Sequence, residues 1–375
     1  LNTEALLRLD NAYTLLAGST VVADALLITS SGDVANGVTD AIDATDADIV
    51  NAINVGTNII AITTGTIGSN AATVVDFASF DVSGAGAVVA VGVNSGTDAL
   101  YLSLKALGIG KGDEVITNSH TFVATVQVIM QIGAIPVLYD LDRIINITQR
   151  TIAIIPCHIA GEFDADMNQV MLFAERNGIF VIEDTCQALG ALQHGKKAGS
   201  FGDVGCFSFY PAKILGCYGD GGAVTTNNEA FYEEIKKLRN HYKPAYEKWG
   251  INSRLDNLQA AILNVKLQYL PFYLERRKEI AERYLEELEG VGLPENTPGR
   301  VWQDFIVRTP ERDKLYEYLK DQGIETMKNE YSMPIPKLPL AQKYEAETLR
   351  IPCNAELSNE EVSYIIEKIN AFGKS

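Results

Sequence analysis

From Ala90 onward the chain alternates short apolar runs with helical spacings, and that alternation admits few folds. Strand-like runs fall near residues 113–117, 134–139, 151–157, 178–183, 204–209 and 222–226. Helical patterns fall near 97–108, 122–132 and 164–177. This order predicts a mainly parallel sheet joined by crossover helices, with ligands at the C-terminal ends of its strands. Residues 228–240 and 254–288 read as long helical stretches. In the second, Leu255, Leu258, Ala261, Ile262, Val265 and Tyr269 recur at helical spacing and Pro271 marks a kink or restart. A strand from Trp302 to Val307, a helix from Arg312 to Gln322, a strand near Glu325 and a helix from Asn359 to Phe372 predict a smaller α+β domain.

The first 88 residues have a different texture. They hold no Lys, Pro, Cys or Trp, and runs such as 58–64 and 72–75 read as short strands between Gly, Asn and Ser turns. Residues 1–92 carry ten acidic residues against one base, Arg8, and so account for −9 of the formal charge of −17. The expected division is an atypical segment 1–88, a large α/β domain 89–240, and a linking helix with a small domain 241–375. Nothing catalytic is visible in 1–88, and a β-rich or mixed packing module is the plain reading.

The net negative charge argues against a nucleic-acid partner. No run approaches the roughly 18 apolar residues of a membrane helix. Five cysteines without a CxxC pair read as reduced thiols, and the chain, opening at Leu1 without a signal-peptide pattern, is expected in the cytoplasm. Four histidines in no cluster make a protein metal site unexpected.

The chemistry concentrates in GDVGCFSFYPAKILGCYGDGGAVTTN, residues 202–227. An apolar strand runs into Lys213, with glycines at 216, 219, 221 and 222 behind it. A poorly solvated lysine there has its charged form disfavoured, as an imine-forming amine requires. IEDTCQALGA, residues 182–191, places Asp184 at the end of another strand. A lysine and an aspartate on neighbouring strand ends suit pyridoxal 5′-phosphate (PLP), the lysine holding the aldehyde and the carboxylate the pyridinium nitrogen. Asn94-Ser95-Gly96-Thr97-Asp98 precedes a helix. Gly96 and Thr97 either cradle an anion at its N-terminus or simply belong to a cap by Thr97 or Asp98. Ser208 offers a second hydroxyl to the same anion. Phe122 either stacks on a flat ring or fills the core, and Gln187 either bonds a phenolate oxygen or sits on a helix surface.

Together the strings VGVNSGTDALYLSLKALGIGKGDEVITNSHTFVAT, AIIPCHIAGEFDADM, VIEDTCQALGA, GDVGCFSFYPAKILGCYGDGGAVTTN and GINSRLDNLQAAIL resemble the DegT/DnrJ/EryC1/StrS family over roughly residues 90–375. Its members are PLP-dependent aminotransferases acting on nucleotide-linked keto-sugars. The resemblance implies the aspartate-aminotransferase fold (fold type I), with a mainly parallel seven-stranded sheet. It implies that Lys213 holds the cofactor and shuttles a proton, that Asp184 pairs with the pyridinium, and that Phe122 stacks on the ring. Gln187 would bond the ring oxygen, and Gly96, Thr97 and Ser208 the phosphate. Asn252 would reach the phosphate of the neighbouring subunit's cofactor, which implies a homodimer with shared active sites; its plain alternative is an N-cap on a helix starting near Arg254. Glutamate is the implied amino donor, and a dTDP-linked 3-keto-6-deoxyhexose the implied acceptor.

The chain departs from the family in three places. Residues 1–88 lack the family's FLDL-type leader. Only Leu141 to Arg150 separate two strands that the family joins through a helix. The stretch Met333 to Arg350 is short for the substrate-contacting loop. These fall on the sugar side of the site rather than the cofactor side. A PLP-dependent sugar dehydratase on the same scaffold carries histidine where this chain has Lys213. A non-catalytic PLP-binding or regulatory protein is the reading from another class.

Overall fold

The computed structural model describes residues 89–142 and 145–372, with the backbone of Phe80–Asp81. The strands expected at 58–64 and 72–75 lie outside the described residues. In chain order the large part contains β1 (Phe80–Asp81), β2 (Val89–Val93), α1 (Gly96–Ala106), β3 (Glu114–Asn118), α2 (Val123–Gln131), β4 (Ile135–Tyr139), β5 (Thr151–Ile155), α3 (Met167–Asn177), β6 (Phe180–Asp184), β7 (Leu192–Gln193), β8 (Lys196–Lys197), β9 (Val204–Ser208), β10 (Gly222–Thr226) and α4 (Glu229–Leu238).

Seven strands of four or more residues form the sheet, with the two-residue β1 added at one edge, in the order β1-β2-β10-β9-β6-β5-β3-β4. Neighbours from β9 to β4 are parallel, while β10 runs counter to both β9 and β2. The central strands are apolar on both faces, as a sheet covered on both sides requires; Val115, Ile116, Ile154, Ile155, Val181 and Ile182 are all buried. Ser95 caps α1 by accepting from the Asp98 N–H at 3.1 Å, so the cap is neither Thr97 nor Asp98, and the helix opens at Gly96. Asp166 and Gly178 bracket α3, the glycine in the left-handed region at φ 63°.

No helix joins β4 to β5 among the described residues, as the short spacer implied. An extended chain of about ten residues reaches roughly 33 Å. That exceeds a return along a five-residue strand plus two strand spacings, about 27 Å. Glu114 fastens the connection by accepting from Thr148 Oγ1 at 2.6 Å, Thr151 Oγ1 at 3.1 Å and Arg150 at 2.5 Å. Ile145 packs on the apolar cluster of Ile116, Tyr139 and Ile154.

The remaining elements are α5 (Asn257–Leu267), α6 (Leu270–Glu287), β11 (Phe305–Arg308), α7 (Arg312–Asp321), β12 (Met327–Lys328), α8 (Pro339–Glu347), β13 (Thr348–Ile351) and α9 (Asn359–Phe372). The 254–288 stretch is two helices, and Pro271 stands in the first turn of the second, where its missing N–H costs nothing. α5 starts at Asn257 after Asp256, so Asn252 does not cap it. The strand expected from Trp302 begins only at Phe305. A second apolar cluster, with Tyr284, Trp302, Phe305, Leu315 and Ile366, lies under the antiparallel sheet β11-β13-β12.

Candidate active site

The C-terminal ends of the parallel strands open on a cavity of about 1620 Å³. Seven of the eight residues singled out in the sequence line it: Gly96, Thr97, Phe122, Asp184, Gln187, Ser208 and Lys213. Asn252 does not. It is exposed, beside the buried Ser253, whose Oγ accepts from the Asn94 N–H at 3.1 Å.

Gly96 is dictated by packing. A Cβ there would stand 2.7 Å from Ser208 Cβ and 2.8 Å from Cys186 Sγ. The α1 N-terminus therefore presses against the end of β9 and presents Ser95, Gly96 and Thr97 to the cavity. A helix N-terminus with a hydroxyl beside it is a site for an anion. Ser208 Oγ, on the same wall, accepts from the Tyr210 N–H at 3.3 Å.

Asp184 ends β6 and is buried. Its Oδ2 accepts from Thr125 Oγ1 at 2.8 Å and its Oδ1 from the Cys186 N–H at 3.2 Å. The Thr125 hydroxyl is in turn 3.0 Å from that of Thr121. These bonds fix the carboxylate's orientation. Burial first, then the Asp184 charge, pushes the Cys186 thiol up, so it stays uncharged beside the carboxylate.

Lys213 lies five residues beyond β9, on a turn closed by its own N–H to the Tyr210 carbonyl at 2.8 Å. It is half-buried and opens to the cavity, rather than enclosed behind its strand. Phe122 leaves its ring 51 % exposed at the mouth of α2, edge-on to Tyr331 at 6.1 Å between centroids. Gln187 is neither a free surface residue nor wholly open to a ligand. Its Oε1 accepts from the Ala160 N–H at 2.8 Å and its Nε2 donates to Tyr331 Oη at 3.3 Å. Burial pushes the Tyr331 hydroxyl up to about 12, so it is neutral and able to donate into the cavity.

Thr125, Tyr331 and Arg350 escaped the sequence reading. Thr125 closes the run SHTFVAT, about one helical turn past Phe122. Arg350, on β13, lines the cavity with its guanidinium 4.8 Å over the Tyr331 ring. Among the described residues no cluster of His, Cys, Asp and Glu could hold a metal, and no helix is long and apolar enough to cross a membrane.

One amine, one fixed carboxylate, one open aromatic face and one helix N-terminus thus share a cavity. That set suits a flat, nitrogen-containing ring with an anionic end. Comparison with known proteins agrees. Residues 75–370 match the DegT/DnrJ/EryC1/StrS aminotransferase family. A pleiotropic regulatory protein of Geobacillus stearothermophilus is 40 % identical over 75 % of this chain and 84 % of its own. The dTDP-3-amino-3,4,6-trideoxy-alpha-D-glucose transaminase of Streptomyces venezuelae is 38 % identical over 76 % of this chain and 83 % of its own. The crystal structure of S. venezuelae DesV in complex with a ketimine intermediate superposes with a TM-score of 0.71, at 38 % identity over 76 % of this chain and 85 % of that one.

Proposed function

Because this chain belongs to the DegT/DnrJ/EryC1/StrS aminotransferase family, we propose that it moves an amino group from L-glutamate to a dTDP-linked 3-keto-6-deoxyhexose. At the coarser level it is a PLP-dependent sugar-nucleotide aminotransferase. The product in the name of the S. venezuelae transaminase, a 3-amino 6-deoxy sugar on dTDP, supports the finer choice. The observation that carries the reading is the convergence of Lys213, Asp184 and the α1 N-terminus on one cavity.

The residues fit the cofactor. The missing Cβ at Gly96 lets the helix terminus sit close against Ser208, which puts both on one wall for a phosphate, and the Asp184 carboxylate is already oriented. When bound, PLP supplies an electron sink for carbanion chemistry. Lys213 Nζ would hold the cofactor and serve as the base that takes up and returns the substrate's proton. Asp184 keeps the ring nitrogen protonated through charge and a hydrogen bond. Phe122 covers one ring face and excludes water from it. Gly96, Thr97 and Ser208 hold the phosphate, and Gln187, turned by the Ala160 N–H, reaches the ring oxygen.

Asn252 serves the phosphate of the neighbouring subunit, so the working unit is a homodimer. Its exposure and its absence from its own chain's cavity support that assignment. The division near residue 240 into a large cofactor domain and a smaller C-terminal one belongs to the same reading, with separate apolar clusters as its support.

A second reading, a regulatory protein that binds PLP without turnover, is favoured by the name of the Geobacillus relative. Visible absorption of the purified protein with PLP separates the two. On the catalytic reading the bound-cofactor band bleaches with L-glutamate and returns when a dTDP-3-keto-6-deoxyhexose is added. A band that ignores every amino donor supports the regulatory reading. Bleaching reversed only by UDP-linked keto-sugars rejects the dTDP choice and leaves the aminotransferase standing.

A further inference from the structure

The turn that carries Lys213 is held from the segment before β11. Gln303 spans it with one side-chain amide. Its Oε1 accepts from the Ile214 N–H at 3.1 Å, and its Nε2 donates to the Ala212 carbonyl at 3.0 Å. These groups belong to the two peptide units on either side of the Lys213 Cα. With both planes held, and the Lys213 N–H bonded to Tyr210, the backbone dihedrals of Lys213 are fixed, and with them the direction of its Cα–Cβ bond. Glutamine is suited to this because it presents one acceptor and one donor in a single plane.

Gln303 is itself immobilised. It is buried, and its own carbonyl accepts from Arg277 at 3.1 Å. The same Arg277 nitrogen reaches the carbonyls of Trp302 at 3.0 Å and Cys353 at 2.6 Å. Val301 and Ile214 share an apolar cluster with Ala188, Ala191 and Ala198, so packing joins the two segments as well.

We propose that Gln303 is a positioning residue that aims the Lys213 side chain at the cofactor's aldehyde carbon. This rests on the reading of Lys213 as the amine that holds PLP. Gln303 acts on the lysine's backbone, so its loss slows steps that use Lys213 and leaves binding of the sugar nucleotide in place.

The test mixes apo-protein with PLP, stops the reaction with borohydride at set times, and measures the PLP-modified Lys213 peptide by mass spectrometry. Gln303→Met keeps the side chain's length and removes both bonds. Wild type labels Lys213. The Met variant, folded by circular dichroism, labels the same peptide about tenfold more slowly, the loss expected for one to two net hydrogen bonds. Its kcat falls in step while KM for the keto-sugar nucleotide holds. Gln303→Glu gives an independent handle. Protonated, its carboxyl donates to the Ala212 carbonyl and accepts from the Ile214 N–H; ionised, it turns only lone pairs to that carbonyl. Its labelling rate relative to wild type therefore rises as pH falls. A Met variant that labels at the wild-type rate overturns the proposal. If the Met variant does not fold, a Glu variant whose ratio to wild type is flat with pH overturns it equally. Wild type that labels elsewhere than Lys213 removes the premise, a separate and visible failure.

Discussion

Thr125 shows at the scale of one residue how the site depends on groups that touch no ligand. Its hydroxyl bonds the Asp184 carboxylate at 2.8 Å inside the core. A hydrogen bond to a charged acceptor contributes about 1.5–3 kcal/mol. Thr125→Val keeps the shape and deletes that bond. It is expected to weaken PLP binding by about tenfold or more, while the far-ultraviolet spectrum and the visible band position stay near wild type; cofactor titration of the apo-variant measures it. Unchanged PLP affinity would show that the Cys186 N–H alone suffices to orient Asp184. The residues singled out in the sequence that meet at the cavity, Lys213, Asp184 and Gly96 among them, lie in contiguous strings just past strands, where strand-end logic finds them. Those missed act across the chain. Tyr331 meets Gln187 over a separation of 144 residues, and Gln303 meets Ala212 over 91. No local pattern records such a meeting.

At the scale of elements, α8 carries the same lesson. Its stretch, KLPLAQKYEAE, holds a proline and a weak apolar rhythm, so sequence periodicity does not mark it. The four-residue β13 after it is too short for alternation to show. Strands buried on both faces were legible because continuous apolar runs bounded by turn residues have few other uses. α8 is defined instead by what it docks on. Asp140, at the end of β4, accepts from the Leu340 and Ala341 N–H groups at 2.8 Å each, and Ser119 accepts from the Leu338 N–H at 2.8 Å. Near its C-terminus Glu345 is buried against His120, at 2.8 Å, and Lys337. Burial pushes the Glu345 carboxyl up, but His120 and Lys337 outweigh it and leave it below the ordinary 4.5. A carboxyl lowered on folding stabilises above its unfolded value and loses that contribution as pH falls through its folded one. The melting temperature of wild type should therefore exceed that of Glu345→Gln at neutral pH, with the gap closing between about pH 5 and pH 3. Thermal melts of both proteins across that range measure it, and a gap constant with pH would mean the ion pair contributes nothing net.

At the scale of the molecule, the described residues include exposed apolar surface. Leu258 and Val265 on α5 and Phe272 on α6 are 69, 58 and 59 % exposed, and Tyr218 beside them is 74 % exposed. Scattered apolar side chains on a surface are ordinary, but several on adjacent elements bordering the turn that bears Lys213 suit a permanent partner. On the proposed role of Asn252, that partner is a second copy of the chain. If Asn252 serves the neighbour's phosphate, Lys213→Ala and Asn252→Ala damage different halves of each site. In a mixed dimer of the two variants, one site receives both lesions and the other receives neither. Co-expressed variants assorting at random should then recover about one quarter of the wild-type activity, although the Lys213→Ala homodimer has none and the Asn252→Ala homodimer is weakened. Were both residues to serve the same subunit, every site in the mixed dimer would keep at least one lesion. Activity would then never exceed that of the Asn252→Ala lysine-bearing sites. Turnover of the co-purified mixture, set against each homodimer at equal concentration, distinguishes a shared site from a self-contained one.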